Sequence, residues 1–148
     1  MATRRRRELR AIPRLERATH AVALHLATKT QLAVIQAEAH VLAFLEPVRS
    51  AGISDIHRAF GHHRSTLTSV LARLERRGLV TRSVDLENRR NVIVTLTARG
   101  RVLAERVFTV LHDFESAALA GIAASDLEAF ARVADAIAAR GRAARTSP

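Results

Sequence analysis

The chain contains no cysteine, no tryptophan and no tyrosine, and only five phenylalanines. The absence of cysteine excludes disulfides, thiolate metal sites and cysteine-based redox or nucleophilic chemistry. The shortage of aromatics leaves the core to Leu, Val, Ile and Ala, which favours helices over a sheet sandwich. Long apolar runs are also missing. The segment HAVALHLATKTQLAVIQ is interrupted by His25, Lys29 and Gln31 and does not read as a spanning helix. The basic start, MATRRRREL, is followed by neither an apolar segment nor a small-residue cleavage site. A cytoplasmic protein without membrane contact is therefore expected. The parts of an enzyme are missing as well. There is no phosphate-cradling glycine loop and no hydride-cofactor fingerprint. The run HHRS sets histidine beside serine, but nucleophile and base need a spatial geometry that adjacency does not supply.

Acidic residues are few relative to basic ones, and the formal net charge is +10 over 148 residues. Such an excess opposes compaction and favours polyanionic partners. It is also localised. Residues 54–106 hold eleven arginines against five carboxylates, and residues 1–17 hold seven against two. The rest of the chain is close to balanced, as a binding face requires.

Apolar spacing predicts a helix over about 13–27, with Pro13 at its start and Leu15, Thr19, Val22 and Leu26 on one face. A second helix is expected over roughly 34–45, followed by a loop bracketed by Pro47 and Gly52. Ser54 is placed to cap a short helix, SDIHRAF, and Gly61 to end it in a left-handed turn. The next helix stops at Gly78. LVTRSV and VIVTL then read as the strands of a hairpin whose tip is DLENRRN. Thr97 caps a long helix to about Ala120. Ser125 and Glu128 form a capping box for a last helix that ends before Gly141. Its stripe is Leu127, Phe130, Ala131, Ala134, Ile137 and Ala138. A short helix, a glycine turn, a second helix and a hairpin make a mainly α fold with a small β-hairpin wing, a winged helix-turn-helix.

The second helix of that motif lies in GHHRSTLTSVLARLERRG. At about 100° per residue, Leu67, Val70, Leu71 and Leu74 form one apolar stripe. Ser65, Thr66, Ser69, Arg73 and Arg76 lie opposite. Short hydroxylated side chains near the N-terminus allow close approach to base edges, which are read by hydrogen bonds. The helix N-terminus favours a nearby phosphate, and longer arginines further along reach the flanking backbone. A solvated face would have a similar composition. The short helix before it, the wing after it and the local charge decide for DNA. His62 and His63 either join this face or lie in an exposed turn; they are assigned to the face, with Arg64 and Thr68.

The run STLTSVLARLERRGLVTRSVDLENRRNVIVTLTARG resembles the winged-helix core of MarR-type transcriptional regulators. LERRGLV, the wing DLENRR and VTLTARG carry most of the likeness, and QAEAHVLAFL is similar to the family's second helix. The resemblance implies a homodimer bound to a pseudo-palindromic operator in double-stranded DNA, usually as a repressor. It implies a wing arginine in the minor groove, here Arg90, with Arg89 beside it able to share the role. The family often has an acidic residue two positions before that arginine; here it is Asn88. The N-terminal helix and the two C-terminal helices would form the dimer interface, with Leu15, Val22, Leu127, Phe130 and Ile137 as its apolar residues. A small aromatic ligand in a crevice would release the DNA. The chain then divides into a basic, disordered arm over 1–12, a helical dimerisation region over 13–32 and 100–142, a winged helix-turn-helix over 33–99, and a frayed tail over 143–148.

Some relatives sense zinc, and there are seven histidines. Of these, His20, His25, His40 and His112 would lie near the crevice. No pair has the three- or four-residue spacing that sets two ligands on one helical face. Partly buried, hydrogen-bonded histidines are expected, with no metal and no cofactor. Two other readings keep the fold: an architectural DNA-binding protein with weak sequence preference and no ligand switch, and a winged helix that binds only protein. Charge on the wing and recognition helix argues against the latter.

Overall fold

The computed structural model describes residues 9–61 and 64–146. Its helices are α1 (Ile12–Ala27), α2 (Gln36–Val48), α3 (Ile53–Phe60), α4 (Arg64–Arg76), α5 (Ala98–Ala118) and α6 (Ala124–Thr146). Three short strands, β1 (Ser50–Gly52), β2 (Val80–Val84) and β3 (Val92–Leu96), form one antiparallel sheet in the order β1-β3-β2. This is a winged helix-turn-helix carried on long flanking helices.

The core is aliphatic throughout, as the composition requires. Val41, Leu42 and Leu45 of α2, Ile56 of α3, the stripe Leu67, Val70, Leu71 and Leu74 of α4, Val94 of β3 and Val107 of α5 are all buried together. α2 lies at the centre. It packs most extensively on α5 and also touches α4 and two of the strands. The helix-turn-helix forms where expected. Gly61 ends α3 at φ 61°, a left-handed conformation that glycine adopts without steric penalty, and its N–H donates to the His57 carbonyl over 2.9 Å.

Several boundaries differ from the sequence reading, each for a local reason. α2 runs through Pro47, because a proline in the last turn removes only one helical hydrogen bond. The helix ends at Arg49, whose φ of 64° turns the chain back along the sheet. The segment read as a loop before Gly52 therefore contains β1, paired Ser50 to Thr95 and Gly52 to Ile93. Nothing in the three residues SAG favours a strand; the open edge of β3 supplies the partners. Gly52, not Ser54, stands at the N-cap of α3, and Ser54 is exposed inside the first turn. α6 opens at Ala124, with Ala123 accepting the first helical N–H groups, so Ser125 is not its cap. α6 also continues through Gly141 to Thr146, into the segment expected to fray. An isolated glycine costs a helix only about 1 kcal/mol, and its neighbours are mostly alanine and arginine. A single 3-10 turn, Thr30–Leu32, precedes α2 and buries Leu32.

Thr97 does cap α5, and the cap ties three elements together. Its hydroxyl oxygen accepts the Gly100 N–H at 2.9 Å, and the hydroxyl donates to the Gly78 carbonyl at 2.7 Å. Its own N–H donates to the Leu79 carbonyl at 3.0 Å. The backbone of Leu79 lies so close to α5 that a Cβ on Gly100 would fall 1.8 Å from the Leu79 oxygen. Gly100→Ala should therefore destabilise the fold by at least about 2 kcal/mol, since overpacking here meets backbone and not a flexible side chain. Gly141 has open space around it, and Gly141→Ala should stabilise by about 0.5–1 kcal/mol. Denaturant melts of the two variants beside the wild type check both signs.

Candidate nucleic-acid interface

The outward face of α4 is built as the sequence suggests. Arg64, Ser65, Thr66, Thr68, Ser69 and Arg76 are all exposed. The Thr68 hydroxyl donates to the Arg64 carbonyl at 2.7 Å, and the Ser69 hydroxyl donates to the Ser65 carbonyl at 2.9 Å. Both oxygens keep acceptor capacity directed outward, and both protons can rotate to a better partner. His62 and His63, assigned to this face, lie outside the described residues.

Arg73 departs from the expectation. Its Nε donates to Glu38 of α2 at 3.0 Å, and Arg77 Nη1 donates to the other carboxylate oxygen, also at 3.0 Å. A long side chain leaving the flank of α4 can fold back to a buried acid, and does so here. Arg73 is thus tied to a carboxylate, with 38% of its side chain still exposed. The sequence carried one sign of this: Glu38 is a lone acid in the apolar run QAEAHVLAFL.

The wing is a closed turn between β2 and β3. The Asp85 carboxylate accepts the Glu87 N–H at 2.9 Å, and the Asn88 side-chain oxygen accepts the Arg90 N–H at 3.3 Å. The Asn88 carbonyl accepts the Asn91 N–H at 2.7 Å, and the Asp85 N–H closes the loop on the Asn91 carbonyl at 3.0 Å. Asn88 therefore shapes the turn through hydrogen bonds alone. Arg89 and Arg90 are both exposed at the tip. Arg90 also lines a cleft of about 350 Å³ between α3, α4 and the wing, with Ser54, His57, Arg64, Thr68 and Arg82. Recognition helix and wing arginine thus share one basic concavity. Arg89 and Ser65 lie outside its lining.

A second ion pair attaches the wing to α4. Arg82 of β2 reaches back to Glu75, its Nε 2.9 Å from the carboxylate. The hydrogen bond from Arg82 holds the Glu75 carboxyl below its ordinary value of 4.5, and the same bond raises the Arg82 guanidinium. A lowered carboxyl favours the folded form above the ordinary value, and that support fades as acid protonates Glu75. Arg82 and Glu75 were not singled out by the sequence. Arg64, Arg76, Arg89 and Arg90, by contrast, have no carboxylate partner among the described residues.

The apolar residues assigned to dimerisation cluster at the far end. Val22, Leu127 and Phe130 line a groove of about 770 Å³ between α1, α5 and α6, with Leu111, Phe114 and Ile122. Leu15 meets Phe130 in a smaller groove alongside, and Ile137 lines neither. No described residue of α6 is buried, and Phe130 remains 56% exposed. The histidines pair with rings: His25 lies on Phe114 at 4.5 Å between centroids, His40 stacks on Phe60 and His112 on Phe108. Among the described residues no group of three or more His, Asp or Glu could hold a metal ion, and no helix is long and apolar enough to cross a membrane.

The model of the MarR family matches residues 36–92, from the start of α2 to the start of β3. No curated protein is similar enough in sequence to match. Solved structures are similar along nearly the whole chain. S. aureus MepR in its DNA-binding conformation superposes with a TM-score of 0.78 at 20% identity, over 88% of this chain and 98% of that one. NadR in complex with 4-hydroxyphenylacetate gives 0.74 at 20% identity, over 93% and 98%. The PcaV transcriptional regulator from Streptomyces coelicolor, in complex with its natural ligand, gives 0.67 at 24% identity, over 84% and 88%. The MarR family's pattern thus lies on the helix-turn-helix and wing, and the chain shares the fold of these solved structures over most of its length.

Proposed function

We propose that this chain acts as a homodimer on a pseudo-palindromic operator and represses transcription until a small aromatic ligand releases it. The observation that carries the reading is the shared cleft: Arg64 and Thr68 of α4 and the wing residue Arg90 line one basic concavity. In this reading α4 enters the major groove and places Ser65, Thr66 and Ser69 against base edges, while Arg64 and Arg76 meet phosphates. Arg90 reaches into the minor groove, and Arg89 contacts backbone beside it. MepR has been crystallised in a DNA complex on this fold, which supports the docking mode. NadR and PcaV carry ligands on it, which supports a small-molecule switch.

Dimerisation rests on α6. A 23-residue helix with none of its described residues buried and an exposed apolar stripe is an incomplete interface. A second copy would cover the grooves lined by Leu15, Val22, Leu127 and Phe130, and Ile137 would extend that surface. Phe130→Glu places an unpaired charge there and should convert dimer to monomer at micromolar concentration. Light scattering decides it, and a monomeric wild type would remove the dimer from the reading.

Selection of bound duplexes from a random pool tests the DNA reading. The expected product is a pseudo-palindrome with half-site centres about 10 base pairs apart, roughly 34 Å. Binding without a preferred sequence would instead indicate an architectural role. On the selected site, Ser65→Ala or Ser69→Ala should cost about 1–3 kcal/mol at particular base pairs. Arg90→Ala should weaken binding broadly and flatten any A·T preference at the flanks. Unchanged flank preference in that variant would remove Arg90 from the minor groove.

A further inference from the structure

Glu38 is the one buried charged residue among those described, with only 5% of its side chain exposed. Three donors converge on it. Arg73 Nε lies 3.0 Å from Oε1, Arg77 Nη1 lies 3.0 Å from Oε2, and the backbone N–H of Ile35 donates to Oε2 at 3.3 Å. The last bond closes the first turn of α2 in the manner of a capping box. The other two cross to α4. They leave from positions four residues apart, Arg73 in the last turn of α4 and Arg77 just past its end.

Apart from this cluster and the Glu75–Arg82 pair to the wing, α4 is held by apolar contacts. Leu67, Val70, Leu71 and Leu74 bury its inner stripe. Apolar burial is not directional and tolerates a helix that rolls or slides by a small amount. Two guanidinium bonds to one carboxylate do not, because donor and acceptor angles are both constrained. Exchanging a buried ion cluster for apolar side chains is often neutral or stabilising, so stability alone does not account for it. The first turn of α2 also reaches the other half of the chain. Gln36 Nε2 donates to the Thr19 carbonyl of α1 at 3.5 Å, and the body of α2 packs on α5.

We propose that Glu38 is a positioning residue for DNA recognition: through Arg73 and Arg77 it fixes the roll of α4 against the dimerisation helices, and it withholds both arginines from phosphate. The inference rests on the DNA reading above. With α4 fixed, the two recognition helices of a dimer keep one separation and present the same side chains to each half-site. Arg73 and Arg77 contribute to specificity through Glu38 and not through contact with DNA.

The test uses the full-length protein, its selected operator and a scrambled duplex of equal length, with affinities measured across a salt series. Arg73→Gln and Arg77→Gln should each lower operator affinity about tenfold, the worth of one lost base contact. Each should leave scrambled-duplex affinity and its salt slope unchanged. Glu38→Gln, shown by circular dichroism to be folded, should bind scrambled duplex more tightly with a steeper slope, by up to about 0.9 for each released arginine, and should discriminate the operator less. A fall of about 0.9 in slope for either arginine variant would mean direct phosphate contact and would overturn the proposal. So would an unchanged operator-to-scrambled ratio in the variants, since a purely structural role lowers both affinities together. If Glu38→Gln does not fold, the two arginine variants decide the matter. A wild type that prefers no sequence overturns the parent reading instead, and this inference with it.

Discussion

The two halves of the molecule are joined where the backbone of Leu79 meets the first turn of α5. Leu79 follows the recognition helix and leads directly into the wing. Its carbonyl accepts the Thr97 N–H, and Gly100 leaves room for it within the turn that Thr97 caps. Three elements therefore meet in one hydrogen-bonded knot: the turn through Gly78 that follows α4, β2 at Val80 and α5 at Ala98. None of them can shift alone, because an alternative placement would break bonds whose partners are already buried. The long helix α5 is in this way set in register with the helix α4 and the hairpin of the winged motif. The apolar core fills the space between them, but the knot fixes their relative direction.

The electrostatics sort along the same division. A chain this basic must hold its folded state against its own repulsion. Carboxylates are placed where elements need to be tied: Glu38 joins α2 to α4, Glu75 joins α4 to β2, and Asp55 steadies α3 through Arg58. The arginines on those ties are structural. Those left over on the same side of the molecule, Arg64, Arg76, Arg89 and Arg90, stand at the start of α4, at its end and on the wing tip. Net charge by itself says only that a polyanion is welcome. The division between tied and untied arginines says where it would lie.

Much of this was legible in the sequence because it is local. The stripe Leu67, Val70, Leu71, Leu74 sets a helix and its buried side in one reading, and all four residues are in the core. Gly61 and Thr97 announce a turn and a cap whose chemistry involves only neighbouring residues. The features that were not legible depend on distant partners. β1 has a sequence with no preference for a strand and exists because β3 offers it an edge. Arg73 reads as an outward residue on a wheel, since a wheel has no second helix on it. Its partner lies 35 positions earlier, and only the packing of α2 against α4 brings them together. Ser54 and Ser125 were given capping roles on residue type, but the chain enters each helix one or two residues sooner. Capping preferences fix a helix start to within a turn, and tertiary contacts choose the residue.

Identities near 20% with superposition along nearly the whole chain indicate how little of the sequence the fold requires. An aliphatic stripe can be met by many combinations of Leu, Val and Ile, and most positions on exposed faces are unconstrained by packing. What the fold does not fix is the outward face of α4. Ser65, Thr66 and Ser69 are exposed, and the Ser69 hydroxyl bonds within the helix. Stability therefore places almost no demand on them, and they are free to be set by the surface they meet. Glu38 is placed differently. It lies inside the molecule and is tied to Arg73 and Arg77 beside that face. In the proposed function, residue choice on the outer face governs which bases can be read. In the positioning role proposed for Glu38, the angle at which they are read is settled one layer deeper, where a carboxylate holds α4 more strictly than leucines could.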